Sequence, residues 1–154
     1  MMDPVERFRS AQQLLTDGNP HAALTVVEPL VEAEPDAVAV LVVAARASFD
    51  SARLERAEQL FRRIVELDPT HHYAHAGLGR TLQRRSRHRE ALPYLRLATA
   101  LHPEPWYAQA LARAEASVSS VDDGGTTVDT ARTEGGATTL DGSTTVDREA
   151  PPAG

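Results

Sequence analysis

The segment His71–Arg80, HHYAHAGLGR, concentrates residue types that do chemistry: three imidazoles (His71, His72, His75), then Gly77-Leu78-Gly79, then the arginines Arg80, Arg84, Arg85, Arg87 and Arg89. Imidazoles four residues apart share one helical face and can hold zinc. His71 and His75 have that spacing, while His72 points elsewhere, and no HExxH pattern accompanies them. The chain has no cysteine, which removes disulfides, thiol nucleophiles and cysteine-ligated zinc. Gly77-Leu78-Gly79 is neither a Walker loop nor GxGxxG and follows no strand pattern, so close helix packing is its expected role. The arginine run suits a solvated helix end or a fork for an acidic or phosphorylated partner. Nucleic-acid binding would call for interleaved aromatics and a basic domain, and neither is present. Every Ser, His and Asp has a repeat, cap or tail position that accounts for it, so neither catalysis nor a cofactor is expected.

The elements that position these groups are α-helical and periodic. Pro35, Pro69 and Pro103 are spaced by 34 residues, as are Ala23/Ala57/Ala91, Val27/Phe61/Leu95, Leu30/Ile64/Ala98 and Ala11/Ala45/Gly79. Each period holds two helical patterns separated by turn residues: Asp17-Gly18-Asn19-Pro20, Phe49-Asp50-Ser51 and Arg85-Ser86-Arg87. Gly18 is expected to take the left-handed conformation that closes a helix, Asn19 to cap the next, and Pro20 to open it. Ser51 and Ser86 are the candidate caps in the later copies. The proline at each repeat end stops the second helix, which leaves Asp36 and Thr70 as candidate caps of the following ones.

The 34-residue unit resembles the tetratricopeptide repeat. Leu78-Gly79, Leu82, Glu90-Ala91-Leu92, Leu95, Ala98 and Pro103 match it in the third copy; Ala57, Phe61 and Pro69 in the second; Ala11, Leu14, Ala22-Ala23-Leu24, Val27 and Pro35 in the first. Ser10 and Ser48 depart from the large residues usual at their positions. The resemblance implies an all-α fold, a right-handed superhelical stack of helix–turn–helix repeats over residues 4–37, 38–71 and 72–105. A capping helix over 105–119 completes a domain of residues 4–120. It also implies that Gly79 and Ala91 lie at a close helix crossing and that His75 fills a packing position.

The family binds extended peptides or helices on the concave surface lined by the first helix of each pair. By resemblance, that surface here carries Phe8, Gln12 and Leu15, then Val42, Arg46 and Phe49, then Tyr73, Arg80 and Arg84, and finally Tyr107. The groove is aromatic with a basic end, so the expected partner is another protein, through an acidic peptide or helix. One subfamily clamps the acidic C-terminus of heat-shock chaperones with Lys and Asn. The matching positions here hold Phe8, Gln12, Val43, Tyr73 and Gly77, which excludes that clamp. The reading is a non-catalytic adaptor or scaffold.

Residues 121–154 have no apolar periodicity and abundant Gly, Thr and Asp, the composition of a disordered tail. Seven acidic residues there face two arginines, a net charge of -5, which leaves the preceding 120 residues nearly neutral. Bulk charge therefore favours neither nucleic acid nor an anionic membrane. The longest aliphatic run, Ala37–Ala45, is far below the ~18 residues of a membrane span. With an acidic start and no apolar leader, a cytoplasmic location is the expectation. The tail repeats Thr-Thr-Val-Asp, Thr-Thr-Leu-Asp and Thr-Thr-Val-Asp from Thr126, Thr138 and Thr144. These resemble the Thr-x-x-Asp ligands of forkhead-associated domains, which makes the three threonines candidate phosphorylation sites and a phospho-regulated signalling adaptor the alternative function. A metal or nucleic-acid site over His71–Arg89 is the third reading.

Overall fold

A computed structural model describes residues 1–123, which form seven helices and no strand. They are α1 (Pro4–Thr16), α2 (Pro20–Ala33), α3 (Val38–Asp50), α4 (Leu54–Leu67), α5 (His72–Arg84), α6 (His88–Leu101) and α7 (Pro105–Asp123). The seventh helix thus continues beyond residue 119. The phosphorylation candidates Thr126, Thr138 and Thr144 lie outside the described residues, as does most of the acidic tail. No helix among the described residues is long and apolar enough to cross a membrane.

Local chemistry sets where the helices begin and end. Asp3 accepts the Glu6 N–H at 2.9 Å while the Glu6 carboxylate accepts the Asp3 N–H at 3.1 Å, a reciprocal cap with Pro4 at the first helical position. Within each pair the turn passes through a left-handed residue: Gly18 (φ 80°), Ala52 (φ 62°) and Ser86 (φ 64°). Because that residue belongs to the turn, the cap falls one position later. Asn19 caps α2 as expected, accepting the Ala22 N–H. Its counterparts are Arg53 and Arg87, which make no side-chain cap, and not Ser51 or Ser86. The Ser51 hydroxyl instead donates back to the Ala47 carbonyl. After Pro35 and Pro69 one more residue is also consumed by a tight turn, whereas α7 begins two residues after Pro103. The caps are therefore Ala37 and His71 in place of Asp36 and Thr70, and His71 Nδ1 accepts the Ala74 N–H at 3.2 Å.

Every helix packs against its neighbours in chain order, and the odd-numbered helices also meet one another from α1 to α7. That second set of contacts makes the odd helices the inner wall of the stack and the even helices the outer. Ala23, Ala57 and Ala91 are completely buried, with Val27, Phe61 and Leu95 beside them. The two glycines of α5 face opposite ways. A Cβ on Gly77 would lie 2.4 Å from the Phe61 ring of α4, and one on Gly79 would lie 2.5 Å from Leu95 and 3.4 Å from the Ala91 carbonyl of α6. The third helix pair is thereby clasped on both sides, and the Gly79–Ala91 crossing is as expected. Tyr107, Ala110 and Ala114 of α7 are buried and cover the outer end of this pair.

The outer wall is laced by ion pairs between helices. Arg56 of α4 reaches Glu28 of α2 at 2.8 Å, and Arg63 pairs with Asp36. Glu58 is a hub: it accepts from Arg62 at 2.9 Å, Arg85 at 2.7 Å and Arg87 at 2.9 Å. Burial alone would raise its carboxyl pKa, but the hydrogen bonds and charges of these arginines hold it below the ordinary range. Arg62 continues the chain to Glu90 and to the Tyr94 hydroxyl.

Candidate functional site

The three histidines of the opening segment take three separate partners. His71 is the helix cap. His75 is buried, and its Nε2–H donates to the Pro69 carbonyl at 2.7 Å, with the ring stacked toward Tyr94. His72 Nδ1 lies 2.7 Å from the Tyr107 hydroxyl, and its ring stacks on His102 at 4.3 Å between centroids. Burial lowers the His72 pKa, with the charges of His102 and His71 adding to it. Among the described residues, no group of three or more His, Cys, Asp or Glu side chains is arranged to hold a metal ion.

The arginine run divides between the two walls. Arg85 and Arg87 turn outward to Glu58. Arg80 and Arg84 turn inward. The Arg84 guanidinium lies 4.9 Å from the centroid of the Phe49 ring on α3, and its Nη1–H donates to the Phe49 carbonyl at 3.3 Å. Arg80 sits with its guanidinium 5.9 Å from Phe49 and 6.0 Å from Trp106 at the start of α7. Only 2% of Arg80 is exposed, and burial, with the charges of Arg113 and Arg84 adding, lowers its pKa to about 10. Arg84 is exposed at the rim. Next along α3, Arg46 Nε lies 3.5 Å from the Asp50 carboxylate; burial raises the Asp50 pKa, and Arg46 and Arg84 oppose that rise. Tyr73 sets its ring edge-on to Phe61 at 6.1 Å and to Trp106 at 6.3 Å, and burial pushes its phenol up.

The structure therefore brings Arg46, Phe49, Tyr73, Arg80 and Arg84 into one niche on α3, α5 and α7, but Phe49 and Arg80 are buried in it, Arg46 and Tyr73 are half-buried, and Arg84 is the exposed member of the five. Phe8, Gln12, Leu15 and Val42 lie farther along the inner wall. Of these, Gln12 is exposed, Leu15 is buried in the core, and Phe8 and Val42 are half-buried against it. Tyr107 is not at the surface: it is 2% exposed, in an apolar cluster with Ala76 and Ala98, and burial, with Glu104 adding, pushes its phenol up to about 12. The aromatic facing the niche from α7 is its neighbour Trp106. Sequence reasoning also passed over Asp50 and Arg113. Trp106 was readable as the one tryptophan of the chain, standing beside the expected tyrosine.

Three stacked helix pairs closed by a single helix make this an α-solenoid. Residues 14–80 match the family model described as tetratricopeptide repeat, and the stack just described has the tetratricopeptide-repeat fold. No curated protein matches it. Among solved structures it is similar in fold to MamA (MSR-1), with a TM-score of 0.70 and 20% identity over 79% of this chain and 71% of that one. It is similar also to YrrB, titled a TPR protein with an unusual peptide-binding site (TM-score 0.67, 20% identity, 73% and 58% of the two chains). A thermophilic TPR protein of Thermus thermophilus has a TM-score of 0.65 and 23% identity over 79% and 68%.

Proposed function

We propose that this chain is a non-catalytic adaptor or scaffold that holds an acidic peptide or helix of another protein on its inner wall. The observation that carries this reading is the niche itself, where the rim guanidinium of Arg84 lies over Phe49 beside the buried Arg80–Trp106 pair. An exposed guanidinium against an aromatic floor suits a carboxylate side chain flanked by an apolar one. Arg46, Tyr73 and Val42 extend the same surface along α3 and α5, with Phe8 and Gln12 at its far end. The peptide-binding description of YrrB, which shares this fold, supports the same use of the stack.

The test is fluorescence-anisotropy binding of acidic peptides, and of the same peptides with Asp and Glu replaced by Asn and Gln, to the full chain and to Arg84→Glu. Binding of the acidic set alone, weakened by salt and by the substitution, is the expected result. Equal binding of both sets, or indifference to Arg84→Glu, would overturn the reading.

A further inference from the structure

The niche has a candidate occupant within its own chain. Among the described residues of α3, α5 and α7, Arg46 and Arg84 lie beside the Asp50 carboxylate, and Arg80 lies near Arg84 and Arg113. Residues 124–154 carry Asp129, Glu134, Asp141, Asp147 and Glu149 against Arg132 and Arg148, an excess of opposite sign. Three of these aspartates directly follow an aliphatic residue, in Val128-Asp129, Leu140-Asp141 and Val146-Asp147. An aliphatic side chain next to a carboxylate is the complement of an aromatic wall next to a guanidinium.

Geometry permits the meeting. Val118 and Val121 in the last turns of α7 line a cavity of about 270 Å³ with Ser86, Arg87 and His88, at the α5–α6 turn. The last turns of α7 thus lie at the end of α5 that bears Arg84. Asp129 follows Asp123 by six residues and Asp147 by 24. At ~3.3 Å per residue those spans reach up to ~20 Å and ~80 Å. The longer span exceeds the ~20 Å length of a 13-residue helix such as α5 several-fold.

We infer that the Thr-Thr-aliphatic-Asp repeats of residues 126–147 dock in the Arg84–Phe49–Trp106 niche and compete there with an acidic partner. Tethering makes the competitor intramolecular, with an effective concentration in the millimolar range. Three copies triple the statistical weight of the seated state. A partner must therefore outcompete the tail, so the tail sets the affinity threshold of the inner wall. The inference rests on the reading of the niche as an acidic-peptide site.

The experiment uses the full chain, its Asp129→Asn/Asp141→Asn/Asp147→Asn form, and that form with Arg84→Glu added. The substituted aspartates lie outside the described residues. The probe is a labelled peptide of residues 137–149, ATTLDGSTTVDRE. Trp106, the single tryptophan, reports on the niche by its emission. We expect the neutralised chain to bind the probe at least fivefold more tightly than the natural one and to lose it with Arg84→Glu. Its Trp106 emission should differ from that of the natural chain at low salt and converge with it at about 0.5 M, where exposed charges are screened. Equal, Arg84-dependent binding by the natural and neutralised chains would overturn the inference and leave the niche reading intact. Binding indifferent to Arg84, or none to either chain, would overturn both.

Discussion

The two walls of the stack use arginine in opposite ways. On the outer wall, Arg62, Arg85 and Arg87 converge on Glu58, and Arg56 and Arg63 reach carboxylates of the preceding helix pair or turn. On the inner wall, Arg80 and Arg84 lie against Phe49 and Trp106, close enough to Arg113 that like charge helps lower the Arg80 pKa. On the outer wall the arginines tie helices together through carboxylates, whereas on the inner wall they pack against aromatic rings. Arg84 and Arg85 are adjacent in sequence yet fall on different walls, because one residue turns a helix by about 100°.

The largest contrast is expected from Arg84→Glu on the inner wall. Affinity for an acidic peptide should fall about 30-fold, or about 2 kcal/mol, against a smaller stability loss of about 1 kcal/mol from the broken Phe49 hydrogen bond. Arg80→Met should separate binding from stability further. Replacing the cation between the Phe49 and Trp106 rings with an apolar chain of similar length keeps the packing, so binding should fall while the unfolding free energy changes by less than about 1 kcal/mol. A loss of stability would mean that Arg80 is a structural tie like its outer-wall relatives. Glu58→Gln is the converse test. It should destabilise by about 1 kcal/mol, since its arginine partners are about one-third exposed and can rehydrate, and leave peptide affinity alone.

The pH dependence of Glu58 has a definite sign. Its folded pKa is depressed, so its contribution is complete above the ordinary glutamate range and is lost as pH falls through the folded value. Urea titrations of the natural chain and Glu58→Gln should therefore differ near neutrality and converge in acid. The smallest effect is expected at the exposed Arg63–Asp36 pair, where Arg63→Ala should move neither the urea midpoint nor peptide affinity measurably.

Features governed by local spacing were legible in the sequence. The 34-residue period located the helix pairs, Gly79 and Ala91 announced their crossing, and Gly18 its left-handed turn. The caps were misread by one or two residues because nothing local distinguishes Ala52 and Ser86, which bear a Cβ, as the equivalents of Gly18. Nor did the pattern reveal that Pro29 and Pro93 lie inside α2 and α6. Both are exposed, as are Thr25 and Arg89 four residues earlier, so the carbonyls left without a helical donor face the solvent side. Glu58 had a signal that went unused: its register is leucine in the other copies, Leu24 and Leu92. The exchange of Tyr107 for Trp106 depends on how α7 rotates against α5, which α7's own sequence does not specify.

The left-handed turn residue recurs at 18, 52 and 86, and the repeat-end proline at 35, 69 and 103. Each unit therefore carries its own bend and its own stop. A tandem duplication of residues 38–71 would join His71 to Val38 with the same two residues between proline and helix as at Pro35-Asp36-Ala37. The longer chain would gain one helix pair, keep α7 as its lid, and lengthen its inner wall by one helix. Reach is thus heritable in steps of one repeat, acquired by copying rather than by redesign.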